Sequence, residues 1–155
     1  MKLSTRGRYA LRAMIDLTQN QYNNLKPISL RDISKRQEIS RQYLEQLFNK
    51  LKKADLVKST RGAGGGYLLA KEANKINAGD IIRAVEGPIV LADCILTGRK
   101  IKKSTQKKCN KVEDCAIRVL LELITQKINQ ILDTTSLQDL CKITQNIKKE
   151  QKDER

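Results

Sequence analysis

The sequence predicts a mainly α-helical protein carrying one small β-hairpin. Three observations predict it. Apolar residues recur at helical spacing in several separate stretches, two short helical stretches adjoin across a few residues, and a glycine-rich run lies between two strand-like segments. At 155 residues the chain is the size of one compact domain, or of a small domain with an association element. With 39% hydrophobic and 31% charged residues it suits a folded chain, and one Phe, four Tyr and no Trp leave a modest aliphatic core.

From Arg6 to about Asn20, Leu11, Met14, Ile15 and the Thr18 methyl recur as one buried helical face. After a loop over Gln21–Asn24 and Pro27, Ser29 can cap a short helix that buries Leu30 and Ile33. A tight connection, Arg36–Ile39, leads to Ser40, the cap of a third helix that buries Leu44, Leu47, Phe48 and Leu51 and ends near Lys53. The runs Leu56–Thr60 and Tyr67–Ala70, joined by Arg61–Gly66, form the hairpin. Asn77 caps a further helix with Ile81, Ile82 and Val85 inside, and Gly87-Pro88 stops it. This closes a first module, residues 1–87.

Residues 88–114 carry Arg99, Lys100, Lys102, Lys103, Lys107, Lys108 and Lys111 with no acid between Arg99 and Lys111, so they read as an exposed loop. From Cys115 to Leu132 a broad apolar stripe through Val119, Leu120, Leu123, Ile124, Ile128 and Ile131 traces a long helix that needs a partner. Ser136 caps a last short helix through Leu140. Residues 115–141 are thus expected to be a dimerisation helix and a short follower, and 142–155 a solvated tail.

The 31 Lys and Arg against 17 Asp and Glu give a charge of +14, which favours polyanions because each neutralised phosphate releases counterions. The chain has no His, which excludes imidazole-based catalysis and argues against an enzyme. Met1–Arg6 leads into an amphipathic stretch, so neither a signal peptide nor a membrane span is read and the cytoplasm is the expected location. Four cysteines in that setting point to thiolates for a metal, a cluster or a redox switch rather than to structural disulfides.

The second and third helices with the hairpin form a winged helix-turn-helix, whose partner is double-stranded DNA. The third helix presents Arg41, Gln42, Glu45, Gln46 and Asn49 on its polar face. Arg41 and Gln42 can reach base edges or phosphates, and Glu45 can accept from cytosine N4. A carboxylate facing DNA is repelled by phosphates and makes sense only where a base donor offsets that cost, unless it is a surface acid paired with Lys52 or Lys53. Positive φ at the wing glycines, Gly64 and Gly65 among them, would let the backbone approach DNA closely, while Arg61 suits a narrow minor groove. A glycine-rich nucleotide loop is the competing idea, but no Gly-Lys-Ser/Thr follows. Lys2, Arg6, Arg8 and Lys58 are candidate phosphate contacts.

Leu3–Ala10, Tyr43–Phe48, Arg61–Leu69 and Ala78–Ile82, in that order and spacing, resemble the bacterial winged-helix regulators that include IscR, NsrR and CymR, over residues 1 to about 140. The resemblance implies a homodimeric repressor on a pseudo-palindromic operator, with Glu45 as a base reader. It also implies that Cys94, Cys109 and Cys115 hold an iron-sulfur cluster, 2Fe-2S first and 4Fe-4S as the alternative. Cys109 and Cys115 keep the family gap, while the stretch from Cys94 to Cys109 is expanded by the lysine-rich insertion. The family's fourth ligands do not carry over: the His position is Arg118 and the acid position is Arg8. Asp93, Glu113, Asp114, Cys141 or an external ligand could take that place. Structural zinc, a regulatory disulfide and idle thiols stay open for the three cysteines, and Cys141 reads best as a small buried hydrophobe. Two other functions remain: a cluster-free, CymR-like repressor of sulfur metabolism controlled by a protein partner, and a small iron-sulfur or zinc redox carrier.

Overall fold

The computed structural model describes residues 3–21, 26–96 and 114–153. Within them run α1 (Thr5–Gln21), α2 (Leu30–Gln37), α3 (Arg41–Lys53), β1 (Val57–Thr60), β2 (Gly66–Leu69), α4 (Ala78–Glu86), α5 (Ala116–Thr134) and α6 (Leu137–Asp153), with single 3-10 turns at Ala73–Lys75 and Asp93–Leu96. The mainly α-helical class with one hairpin holds.

Helix α1 is the centre of the core and packs against α2, α3, α4, α6 and β2. Its buried seam is Ala10, Ala13, Met14 and Leu17, with Leu11 and Ile15 at the rim. The seam is therefore rotated from the expected one, because two alanines let neighbouring helices approach closely while the larger residues fill the edges.

The two expected caps start the next helices. Ser29 Oγ accepts the Asp32 N–H at 3.1 Å, and Ser40 Oγ accepts that of Tyr43 at 3.3 Å. Between them Glu38 takes a left-handed conformation, φ 55°, and Ser34 Oγ donates to the Ile39 carbonyl at 2.7 Å.

Asp16, 3% exposed, is a buried acid that the periodicity gave no reason to expect. Its carboxylate accepts from Arg36 Nη2 at 2.7 Å, Arg36 Nε at 3.0 Å and Gln37 Nε2 at 2.9 Å. The hydrogen bond that Arg36 donates to the Asp16 carboxylate holds its guanidinium above the ordinary pKa. This fork docks α2 on α1 and so sets the angle of the helix-turn-helix. Asp16→Asn should cost about 2 kcal/mol, below the figure for a fully buried pair because Arg36 is partly exposed. Urea denaturation measures it, and a loss under about 0.5 kcal/mol would show that packing alone places α2.

The hairpin pairs Val57 with Leu69 through to Thr60 with Gly66, and only Val57 of β1 is buried. Tyr67 N–H donates to the Ile28 carbonyl at 2.8 Å and Ile28 N–H to that of Tyr67 at 2.9 Å, tying the segment before α2 to the wing. A Cβ at Gly66 would strike the Ile28 backbone, so this bridge requires a residue without a side chain.

Beyond α4, which Gly87 ends with φ 94°, the second departure appears in α6. It runs to Asp153, where a short helix and a solvated tail are expected. Ser136 Oγ caps it by accepting the Asp139 N–H at 3.1 Å, and Leu137 and Cys141 anchor its first turns in the core. Beyond Thr144 the residues are exposed through Asp153, as expected of a solvated end, yet Gln, Lys and Glu are good helix formers that extend an anchored helix.

Candidate nucleic-acid interface

Leu44, Leu47, Phe48 and Leu51 bury one side of α3, which fixes the other side outward. Arg41, Gln42, Glu45, Gln46 and Asn49 are all exposed there. Helix α3, the first turn of α2 and the wing enclose an open cleft of about 920 Å³ whose lining includes Arg31, Arg41, Glu45, Asn49, Arg61 and Gly64. Gly65 also lines it, whereas Gln42 and Gln46 lie beside it on α3.

Glu45 Oε1 accepts from Arg41 Nε at 3.1 Å, so its partner is neither Lys52 nor Lys53. Lys52 instead donates to Ser59 Oγ at 2.5 Å and braces β1 against α3. The Tyr67 hydroxyl is pushed up in pKa, first by burial and then by the charge of Glu45.

The wing corrects one expectation. Of its glycines only Gly62 has positive φ, 111°. Gly65 is needed for space, since a Cβ would lie 2.5 Å from the Thr60 carbonyl, and Gly64 has open space around it. Lys58 is exposed on β1 but does not line the cleft. Arg6 is exposed at the start of α1, with Nη1 3.5 Å from the Val85 carbonyl, and Arg8 is exposed beside it. Lys2 lies outside the described residues. Arg31 was missed, because its place in the cleft follows from the Ile28–Tyr67 bridge, a long-range pairing without a sequence period.

Cys94 sits half-buried in the 3-10 turn Asp93–Leu96, which packs against α5. Cys115, also half-buried, caps α5, and its Sγ accepts the Arg118 N–H at 3.4 Å. Cys109 and Glu113 lie outside the described residues, and among the described residues no three ligating side chains gather into a metal site. Two partly shielded sulfurs on adjoining elements have the chemistry that an iron-sulfur cluster takes from a protein, so the donors present fit thiolate ligation. Cys141 is a core residue: it is buried against α1, its Sγ 3.9 Å from the Ile15 carbonyl, and burial raises its thiol pKa.

A family model described as an iron-dependent transcriptional regulator, Rrf2, matches residues 3–143. The chain belongs to the Rrf2 family. It is 40% identical over 144 residues to the transcriptional regulator CymR of Bacillus subtilis, covering 93% of this chain and 92% of that one. To the regulator IscR of Erwinia tasmaniensis it is 39% identical over 140 residues, covering 90% and 78%. The solved structure of CymR, the global cysteine regulator of B. subtilis, superposes with a TM-score of 0.71 at 38% identity, covering 92% of this chain and 98% of that one. This Rrf2 protein is accordingly a DNA-binding transcriptional regulator rather than an enzyme, of a family whose members are typically dimeric. Among the described residues no helix is long and apolar enough to cross a membrane.

Proposed function

We propose that this Rrf2 regulator binds a pseudo-palindromic operator as a homodimer and that Cys94, Cys109 and Cys115 tie its affinity to an iron-sulfur cluster. The observation that carries the reading is the shared cleft: Arg41, Glu45 and Asn49 of α3 face the same space as Arg61 and Gly64 of the wing. With α3 in the major groove, Arg41, Gln42 and Gln46 address base edges and Glu45 accepts from cytosine N4, releasing Arg41 as it does so. Arg61 enters the minor groove, where Gly64 and Gly65 keep side chains out of the way. Lys2, Arg6 and Lys58 contact phosphates, and α5 of each protomer packs on the other to set the half-site spacing. When bound, the cluster, 2Fe-2S or 4Fe-4S, supplies a state that changes with iron, oxidant or nitric oxide. The chain contributes the three thiolates, with Cys94 in a turn packed against α5 and Cys115 at the start of α5.

A second reading, cluster-free control of sulfur metabolism, is favoured by the likeness to CymR and by the lack of His. Anaerobic purification with iron and sulfide analysis and an absorption spectrum separates the two. Bound iron and sulfide with visible absorption support the cluster, and a colourless, iron-free protein supports the second reading. The DNA-reading roles are tested by operator selection from random DNA followed by binding across a salt series. Glu45→Ala should relax base choice at one position by about 1–3 kcal/mol. Lys58→Ala should weaken all sequences alike and reduce the salt slope by about 1. Unchanged base preference in Glu45→Ala would overturn the role of Glu45.

A further inference from the structure

A polar junction between α4 and α5 is used by neither the DNA face nor the cysteines. Arg83 of α4 donates through Nη2 to the Asp133 carboxylate and, at 3.3 Å, to Asp80, and through Nη1 to Asn129 Oδ1 at 3.2 Å. Asn129 Nδ2 donates to the Ile89 carbonyl at 3.0 Å and to that of Thr125 at 2.9 Å. One amide thus joins α4, α5 and the segment that leaves α4 toward Cys94. Gly79 makes room for it, since a Cβ there would collide with the Arg83 and Asp133 side chains. Its φ is not positive, so backbone conformation does not call for the glycine of Ala78-Gly79-Asp80.

The last turn of α4 faces the reader. The Val85 carbonyl accepts from Lys50 Nζ of α3 at 2.9 Å and from Arg6 Nη1 at 3.5 Å, and Ser4 Oγ donates to the Glu86 carboxylate. Helix α4 is therefore gripped in its last turn from two sides, by α5 and the Ile89 segment through Arg83 and Asn129 and by α3 and the start of α1 through Val85 and Glu86. An exposed ion pair alone would fix little. The directed amide of Asn129, spanning to a carbonyl distant in sequence, gives this junction a defined geometry.

We propose that Asn129 and Arg83 are positioning residues that keep the 89–94 segment, α5 and α4 in one register, so that displacement at Cys94 changes the angle at which α3 meets DNA. The inference rests on the reading of Cys94, Cys109 and Cys115 as a sensor. The test is a double-mutant cycle of operator affinity on the full-length protein at fixed salt. Its variants are the triple Cys94, Cys109 and Cys115 to Ala variant, Asn129→Asp, which keeps the acceptor for Arg83 and loses the donor to Ile89, and their combination. Arg83→Gln cuts the junction from the α4 side and guards against a folding defect in one variant. The cysteine changes should alter affinity at least tenfold in the wild-type background and less than twofold in either junction variant. In parallel, iron-free wild-type protein should discriminate more than tenfold against operators whose half-sites are displaced by one base pair, and the junction variants less than threefold. A preserved tenfold cysteine response together with preserved spacing discrimination in both junction variants overturns this inference alone. Cysteine changes without effect in the wild-type background overturn the sensor reading, and the inference with it.

Discussion

A Leu120→Asp, Leu123→Asp variant is expected to be a folded monomer whose operator affinity falls at least about 100-fold, the scale of advantage that a second linked binding head confers. Of α5 only Thr125 is buried, while Ile117, Leu120 and Leu123 are 67%, 56% and 54% exposed and Val119 and Ile131 are exposed beside them. An apolar face of this extent on a protein with 31% charged residues marks an association surface. Covering a half-exposed Leu or Ile contributes about 1 kcal/mol, so five per protomer on two protomers bring roughly 10 kcal/mol before the cost of association. Aspartates at Leu120 and Leu123 of each protomer would place four carboxylates in that interface without touching the core, so the monomer should keep its helical circular dichroism. Analytical ultracentrifugation and gel-shift titration read the two effects. A variant that stays dimeric at micromolar concentration would move the interface to the other exposed apolar pair, Ile143 and Ile147 of α6.

The parts of this fold legible in the sequence are those whose causes lie within a few residues. Ser29 and Ser40 accept amide protons at the helix starts assigned to them, and Leu44, Leu47, Phe48 and Leu51 are buried as their spacing requires. Because burial of one face of α3 dictates the other, the exposed polar face of α3 was legible as well. What was missed has causes distant in sequence. Asp16 looks like a surface acid until Arg36 folds onto it, and Arg31 joins the cleft only because Ile28 pairs with Tyr67. The length of α6 has another cause: the charged residues beyond Leu140 are also good helix formers, and Leu137 and Cys141 anchor the segment. At the wing, Gly65 and Gly66 are a matter of space, Gly62 alone needs the left-handed region, and Gly64 needs neither.

Phe48→Ala is expected to cost about 3–5 kcal/mol and to lower the melting temperature by roughly 10 °C. Phe48 is the only Phe in the chain and is fully buried on the inner face of α3. Its ring meets that of Tyr67 edge-on, centroids 4.8 Å apart and planes at 63°. Tyr67 in turn is hydrogen-bonded through its backbone to Ile28, so a single aromatic contact links the reader helix, the wing and the segment entering α2. Removing the ring leaves a cavity at the junction of the three pieces that line the proposed DNA cleft, and the loss should therefore reach function before it reaches unfolding. At a temperature where the variant is still folded, footprinting should show protection by the wing weakening more than protection by α3, because Leu44, Leu47 and Leu51 still seat the helix while the wing has lost its aromatic anchor. Phe48→Leu separates the two contributions. It restores most of the buried volume, and with it most of the stability, but not the edge-to-face contact worth about 1 kcal/mol. Equal wing protection in the Leu and wild-type proteins would show that volume alone orients the hairpin, and a Phe48→Ala loss under about 1 kcal/mol would show that the ring does not close the core at this point.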